Sequence, residues 1–432
     1  MNKILGDQYN VLLITVAYFI IFGLSVQSPA SIFEGLIAIM QAPDVLTTDY
    51  IYKGGFGASL VNAGIVTLIA IGMLKTFKHD IKSATISNMW LIIGFSFFGK
   101  NPLNVIPIWL GGWLYSKFMR QDFNKTIIVT LVATSLGPVV TVPWNLYLSG
   151  DISSMGMAIA LAVLSGIAIG FIFEPVAVNI LKVHEGFNLY NGGLMAGIIA
   201  MALTGVYQSF GFDILTVSFI DFDHHNQILV FLAGLSLLYL LIGLVLIQDK
   251  KVIIPKIREL NKTKNDYLPT FGPIIFINMA FLSVLCLAWA MGMHAITPEF
   301  LLQGPALGAI LSTIGFGANG KNVPSSISLF LGATLAALLA PSLDITNPGV
   351  ITILFFVPCL CPIPTKFGYH WGIVAGFLHM HFATSFAGPS GGMNLYNNGF
   401  AAGFVVIILY PLLLSLGRRR EEKQNQLNAA KA

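Results

Sequence analysis

Apolar runs of about 16 to 25 residues recur along the chain from Asn10 to Leu414, and short polar loops separate them. Only 10% of the 432 residues are charged and 56% are hydrophobic, whereas soluble domains carry roughly 25% charged residues. Such a chain has too few polar groups to cover its surface in water. Because a backbone in lipid must satisfy its hydrogen bonds internally, the pattern predicts an all-α membrane protein.

The chain also contains two copies of one pattern. Residues 166–197 align without a gap with residues 372–403, at a shift of 206, and 13 of these positions are identical. Both copies contain Asn-Leu-Tyr-Asn, which starts at Asn188 and again at Asn394. A second match, at a shift of 221, places Gly-Lys-Asn at 99–101 over Gly-Lys-Asn at 320–322. Two motifs in the same order indicate a tandem duplication.

The duplication divides the chain into four expected regions. These are repeat 1 (10–207), an external linker (208–225), repeat 2 (226–414) and a cytoplasmic basic tail (415–432). Each repeat contains seven apolar segments, at 10–27, 56–75, 84–99, 102–118, 125–143, 155–182 and 187–207, and at 227–247, 269–292, 300–316, 323–340, 347–363, 369–387 and 393–414. An odd number of segments inverts the second repeat relative to the first, as in many transporters.

The charges of the loops favour the inverted arrangement. With the N-terminus in the cytoplasm, the inside loops contain Lys75, Lys78, Lys82, Lys117, Arg120, Lys125, Lys182, the basic residues of 250–264, Lys366 and residues 418–420. The outside loops contain Glu34, Asp44, Asp49, Asp151, Asp213, Asp221, Asp223, Glu299 and Asp344, with Lys53 as their only cation. Lys/Arg bias sets orientation, so we expect a multi-pass protein of the cell membrane with both termini in the cytoplasm. The net charge of +4 then anchors the protein and does not indicate nucleic-acid binding.

The third and fourth segments of each repeat are unusually short and meet at the Gly-Lys-Asn motif. About 16 residues span ~24 Å, less than the ~30 Å hydrocarbon core. Either each pair forms a re-entrant hairpin that turns inside the membrane, or each segment crosses separately. Short paired segments at matching positions of two repeats favour the hairpin. The expected fold therefore has two inverted repeats, each with about five transmembrane helices and one hairpin; the alternative is 14 transmembrane helices.

The turns of these hairpins are the predicted solute site. Pro102 and Pro324 suit the first turn of a helix, and a helix that starts at each motif directs its positive dipole end toward the turn. The polar residues there are Lys100, Asn101, Asn104, Lys321 and Asn322. We expect the two turns to meet near the centre of an inverted repeat and to bind a small polar or anionic solute. The alternative is that both lysines extend to an interface.

The Asn-Leu-Tyr-Asn motif supplies further candidates. Polar groups that face lipid are costly, so its asparagines are expected either to line the solute path or to hold helices together. They are Asn188, Asn191, Asn394 and Asn397. We expect Tyr190 and Tyr396 to serve at an interface or in packing.

Three other ionisable residues lie in apolar segments. Glu174, His379 and His381 could relay protons or cations, and the alternative for Glu174 is a structural carboxyl beside Pro175. The same three residues carry the alternative function, a membrane-embedded enzyme or a lipid-handling protein. No nucleophile–base set or metal-ligand spacing accompanies them, so we expect no enzymatic activity, no metal and no cofactor. The expected partners are the lipid bilayer, a small-molecule substrate and possible copies of the chain.

Residues 99–104, Gly-Lys-Asn-Pro-Leu-Asn, and the two Asn-Leu-Tyr-Asn copies give the chain a family resemblance. The chain resembles an uncharacterised two-repeat family of bacterial membrane proteins, a domain of unknown function, over nearly its whole length. Residues 137–144 and the same motifs are more remotely similar to signatures of urea transporters, which are inverted-repeat channels. Lys100 stands where those signatures have Asn, and the order of the motifs differs, so the remote resemblance implies the architecture more than the solute.

Overall fold

The computed structural model describes residues 7–46, 48–212, 214 and 218–429. In that part of the chain the only regular elements are helices, apart from one isolated bridge between Thr48 and Phe219. The helices up to the linker are α1 (Gln8–Val26), α2 (Pro29–Met40), α3 (Tyr50–Gly54), α4 (Phe56–Thr76), α5 (Ser83–Phe95), α6 (Pro102–Phe118), α7 (Ile127–Ala133), α8 (Gly137–Leu148), α9 (Met155–His184) and α10 (Asn191–Ser209).

The helices after the linker are α11 (His225–Leu246), α12 (Ile253–Leu260), α13 (Tyr267–Phe271), α14 (Ile274–Ile296), α15 (Gly304–Gly315), α16 (Val323–Leu339), α17 (Pro348–Phe356), α18 (Pro362–Phe367), α19 (Tyr369–Phe386) and α20 (Asn397–Ala429). Short 3-10 turns join α7 to α8 and α17 to α18. Each of these pairs therefore forms one helix interrupted in its middle.

Eight described helical stretches are long and apolar enough to cross a membrane. They are Gln8–Val26, Phe56–Thr76, Ile127–Leu148, Met155–Ala177, Asn191–Ser209, His225–Leu246, Ile274–Ile296 and Asn397–Arg419. The arms of the two hairpins, α5, α6, α15 and α16, have only 12 to 17 residues each. The protein is therefore a multi-span, all-helical membrane protein, as the sequence predicts.

The two hairpins, α5–α6 and α15–α16, each begin and end at the same end of the molecule. After α6 the chain returns to the end of α4, where the Phe123 ring lies 4.7 Å from the Phe77 ring and the Asn124 amide donates to the Phe77 carbonyl at 2.6 Å. The second hairpin begins after Gln303, whose amide donates to the carbonyl of Pro348 at 2.9 Å. The residues that precede and follow each hairpin are thus neighbours.

The two hairpins open at opposite ends of α4. We call the loops 77–82, 119–126 and 261–267 the basic end, and a bond from Leu268 N–H to Ser83 Oγ of 2.9 Å links the first hairpin to it. We call the loops 41–49, 218–224 and 297–303 the acidic end. The N–H of Gly304, where the second hairpin starts, donates to Asp49 Oδ2 at 3.0 Å.

The first arms of the two hairpins cross at a pair of glycines. A Cβ atom built on Gly94 would lie 2.4 Å from the backbone oxygen of Gly308, and one built on Gly308 would lie 2.4 Å from the oxygen of Gly94. Only glycine allows the backbones of α5 and α15 to approach this closely. The tip of each hairpin therefore lies beside the first residues of the other one.

Two regions differ from the sequence-based expectation. Residues 28–55, expected to be an external loop, contain α2 and α3, and the linker residue Asp221 donates its N–H to Asp49 Oδ2 at 3.1 Å. The expected tail is the continuation of α20, which runs to Ala429. Linker positions 213 and 215–217 and tail positions 430–432 lie outside the described residues.

Candidate functional site

Each Gly-Lys-Asn motif forms the tip of a hairpin, and one asparagine from a long helix holds each tip. Asn62 of α4 donates to the carbonyls of Ser96 and Lys100 at 2.8 and 2.9 Å. Asn278 of α14 donates to the carbonyls of Gly317 and Lys321 at 2.8 Å each. Tip 1 is residues 96–101 and tip 2 is residues 317–322. Asn62 and Asn278 lie in the first two turns of their helices, so each tip lies ~6–9 Å along the long helix from its first residue.

Tip 1 encloses a carboxylate of a loop that the sequence predicts to lie outside the membrane. Asp44 is fully buried. Its Oδ2 accepts from the amides of Asn101 and Asn104 at 3.0 and 2.9 Å, and its Oδ1 accepts from the Tyr50 hydroxyl. Asn101 also caps α6, because its Oδ1 accepts from the N–H groups of Leu103 and Asn104. The same asparagine thus starts the helix and holds the carboxylate.

Tip 2 has the same backbone but different partners. Asn322 caps α16 through Ser325 N–H at 3.0 Å and donates to Thr365 at 3.2 Å. Counting from the repeated Asp-Tyr pair at 49–50 and 266–267, Asn261 is the counterpart of Asp44. The Oδ1 atom of Asn261 is buried and has no hydrogen-bond partner among the described residues. The carboxylate is therefore a feature of repeat 1 alone.

Both lysines are buried at their tips and do not extend to an interface. Lys321 is 0% exposed and donates to the Tyr190 hydroxyl at 2.6 Å and to Thr313 at 3.0 Å. Lys100 is 1% exposed, and its Nζ lies 4.9 Å from the Phe95 ring. Within the described part of the chain, no acceptor lies within hydrogen-bond distance of Lys100 Nζ and no carboxylate pairs with either lysine. Buried amines without a counter-ion are costly and mark functional sites in membrane proteins.

The two tips do not meet, contrary to the expectation from the sequence. A row of four rings, Phe95, Tyr396, Tyr190 and Phe316, lies between them, with consecutive centroids 5.1, 5.2 and 4.9 Å apart. Because α5 and α15 pack antiparallel, with Gly94 against Gly308 and Trp90 against Gly315, each tip reaches past the centre toward the far end. Each tip therefore faces the tyrosine of the opposite repeat.

The two asparagines of Asn-Leu-Tyr-Asn have different roles. The first one shapes a turn: Asn188 Oδ1 accepts from Tyr190 N–H, and Asn394 Oδ1 accepts from Tyr396 N–H, both at 2.9 Å. Asn188 also donates to the Gly399 carbonyl at 2.8 Å, which joins the repeats. The second asparagine, Asn191 or Asn397, is the first residue of α10 or α20.

These second asparagines line two cavities at opposite ends of the molecule. The basic-end cavity has a volume of about 220 Å³, and its lining includes Ala84, Asn88, Ile128, Asn191, Phe316 and Asn319. The acidic-end cavity has a volume of about 100 Å³, and its lining includes Leu46, Pro305, Pro348, Thr352, Asn397 and Asn398. The first residues of three helices line each cavity, and none of the described lining residues is acidic.

The three other predicted residues do not form one site. His379 is buried, and its Nε2 lies 3.1 Å from the Asn398 carbonyl and 4.0 Å from Cys359 Sγ. His381 is two residues further along α19, where its ring lies 4.9 Å from the Phe377 ring. Glu174 is on α9, and no hydrogen bond or ion pair in the described chain joins it to either histidine. No group of three or more His, Cys, Asp or Glu in the same described residues is arranged to hold a metal.

A cationic cluster lies at the basic end, directly before Asn188. Lys264 Nζ lies 3.8 Å and Lys366 Nζ 5.2 Å from the ring of Phe187. Burial lowers the pKa of Lys264, and the charge of Lys366 lowers it further, whereas Glu185 raises it. The cluster gives the basic end a positive potential close to the repeat interface.

Sequence reasoning missed Asp44, Asn62 and Asn278 as site residues. A signal for the last two exists, because Asn62 and Asn278 are each the single amide side chain of an apolar helix, at a shift of 216 that is close to the shifts of the two motifs. The counterpart of Asp44 in repeat 2 is Asn261, which is not an acid, so internal comparison alone does not single out Asp44.

The helices, the two hairpins and the paired cavities define an integral membrane protein with two related halves. The chain belongs to the family described as "Protein of unknown function (DUF1576)", whose model matches residues 28–209 and 249–415. Comparisons with curated proteins and with solved structures found no match. They give no support to the resemblance to urea transporters.

Proposed function

We propose that the protein transports a small polar or anionic solute, and that the solute path follows the interface of two inverted repeats. The observation that carries this proposal is the pair of equivalent cavities, one at each end, together with one buried lysine at each tip and the four-ring row between the tips. A solute site between two accessible cavities is the arrangement that alternating access requires. The cell membrane location, the cytoplasmic basic end and the re-entrant character of the hairpins belong to the same proposal.

The electrostatics favour an anion over a cation. Helix N-termini carry partial positive charge and unpaired N–H groups, and three helices begin at each cavity. Lys100 and Lys321 add amines in a region where water screens charge poorly. The amide oxygens of Asn397 and Asn398 are buried and have no partner among the described residues, so a solute with hydrogen-bond donors would also be held.

The alternative function, an enzyme or a lipid-handling protein, requires Glu174, His379 and His381 to act together. The absence of any described contact between Glu174 and the histidines leaves transport as the better-supported function. We therefore keep Asn191 and Asn397 with the two lysines as the proposed solute contacts, and we assign Asn188 and Asn394 to the helix turns.

Reconstituted vesicles test the proposal. Uptake of formate, nitrate and phosphate is compared with uptake of urea and acetamide for the wild type, Lys100→Met and Lys321→Met. If the solute is an anion, each variant should lose tenfold or more of its uptake, which corresponds to ~1.4 kcal/mol. Lys100→Arg and Lys321→Arg should also lose uptake, because the planar guanidinium of arginine does not replace a compact ammonium.

Lys117→Met is the matched control, because Lys117 is exposed at the end of the same hairpin. It should transport like the wild type. If the solute is neutral, loss of either lysine should admit cations while uptake continues. Unchanged uptake and selectivity in both buried-lysine variants would contradict the proposed site.

A further inference from the structure

The buried carboxylate at tip 1 has no role in the solute path described so far. Asp44 lies in the loop between α2 and α3 and is 0% exposed. Its partners are the Tyr50 hydroxyl and the amides of Asn101 and Asn104, and all three donors are neutral. Among the described residues, no lysine, arginine or histidine nitrogen lies within 4.0 Å of it. A carboxylate buried without a cation is costly in its charged form.

The groups around Asp44 leave it as the titratable centre of the tip. From α3 it faces Tyr50. From α8, Thr141 and Asn145 donate to the neighbouring Pro43 carbonyl, and neither of them titrates. Lys100 is the charged residue of the tip itself.

Two other acids, one in the same loop and one in the linker, have partners of their own and do not contact Asp44. Asp49, later in the same loop, is occupied by the backbone N–H groups of Ile51, Asp221 and Gly304. Asp221 in turn pairs with His224 at 2.9 Å.

The carboxylate also makes the two tips different, because an acid occupies this position in repeat 1 alone. Repeat 2 has the neutral Asn261 at the counterpart of Asp44, while both tips keep the lysine and the capping asparagine. Asn104, which binds Asp44, corresponds to Ser325 in repeat 2. A purely structural hydrogen-bond centre would not need a charge in one repeat only.

We propose that Asp44 couples transport to protons by taking up one proton when the anionic solute binds. This inference rests on the proposed transport function. A charged Asp44 repels an anion at tip 1, and a protonated Asp44 does not, so each ligand increases the affinity for the other. The proton binds to a carboxylate oxygen, no covalent bond of the solute changes, and a monovalent anion moves with one proton without net charge.

Coupled flux tests this inference in vesicles that contain a pH-sensitive dye. A gradient of the transported anion should drive proton entry through the wild type, and uptake should rise as the pH falls. Asp44→Asn should transport the anion without proton entry and should lose the pH dependence. Asp223→Asn, an exposed acid at the same end, should behave like the wild type.

Two further measurements separate coupling from structural damage. Tyr50→Phe removes a donor to the ionised carboxylate, which favours protonation, so its uptake profile should move to higher pH and not merely weaken. Infrared difference spectra of the purified protein should contain a titrating protonated-carboxyl component in the wild type that is missing from the spectrum of Asp44→Asn.

Retained proton entry in Asp44→Asn, or identical infrared titrations, would overturn the coupling role while leaving transport intact. A wild type that moves no solute of the panel at any pH would instead overturn the transport function, and the coupling role with it.

Discussion

At the scale of single residues, the two lysines share a position in the repeat but have different surroundings. Lys321 has two hydroxyl partners, Tyr190 and Thr313, whereas Lys100 has only a ring contact among the described residues. The counterpart of Thr313 in repeat 1 is Ile92, which explains part of the difference. We infer that Lys321 is the more firmly held amine and that Lys100 is freer to contact a solute.

This difference predicts unequal effects for two matched tyrosine variants. Tyr190→Phe removes an acceptor from a buried amine, and such a loss costs about 1–3 kcal/mol. Tyr396→Phe removes a hydroxyl that has no hydrogen-bond partner in the described chain, so it should change stability little. Thermal unfolding midpoints of the two purified variants, scanned at one rate, test the prediction. Equal midpoints would show that the Lys321–Tyr190 bond does not stabilise the fold.

Some of the site residues can be predicted from the sequence, and others cannot. Lys100, Asn101, Lys321 and Asn322 stand out because a repeated polar triplet in an apolar chain is unusual, and all four are buried at the tips. Asp44 resembles an ordinary loop acid, because its burial depends on a fold of α2 and α3 over tip 1 that no local pattern indicates. Nor does any spacing rule predict that the two tips lie apart, because their positions depend on how α5 packs against α15.

At the scale of elements, the crossing of α5 and α15 fixes where the tips lie. The contact has no side chain at its centre, because Gly94 and Gly308 place backbone against backbone. Trp90 packs against Gly315 in the next turn, where a Cβ atom would lie 2.0 Å from the Cβ of Trp90. The apolar pattern predicts the presence of both arms, but the partner of each arm follows from these glycines.

The crossing predicts opposite results for two glycine-to-alanine changes. Gly308→Ala places a methyl group 2.4 Å from a backbone oxygen that cannot move aside, and such overpacking costs roughly 1–3 kcal/mol. Gly72→Ala in α4 has no atom within 4 Å of the new methyl group, and alanine in a helix is favoured by about 0.5–1 kcal/mol over glycine. Gly308→Ala should therefore unfold at a lower temperature than the wild type, and Gly72→Ala at the same or a higher one. A neutral Gly308→Ala would mean that the hairpins are not in backbone contact.

At the scale of the whole molecule, the two repeats together form a pair of equivalent cavities, one at each end. The lining of each cavity draws on both repeats: Asn191 and Ile128 belong to the first, while Phe316 and Asn319 of the same cavity belong to the second. A movement of one repeat relative to the other would therefore alter both cavities at once. The odd number of apolar segments predicts inversion, but the size of the cavities depends on side-chain packing that the sequence does not encode locally.

If the two cavities open to opposite sides of the membrane, single cysteines in them should react from opposite sides. Asn88→Cys reports on the basic-end cavity and Gly349→Cys on the acidic-end cavity. The native Cys286, Cys359 and Cys361 are buried, so the unmodified protein is the control and should react little with a membrane-impermeant thiol reagent. In cells, the reagent should label Gly349→Cys and not Asn88→Cys, and inside-out vesicles should reverse the result. Labelling of both variants from one side would exclude inverted repeats, because the equivalent cavities of such repeats must open on opposite faces.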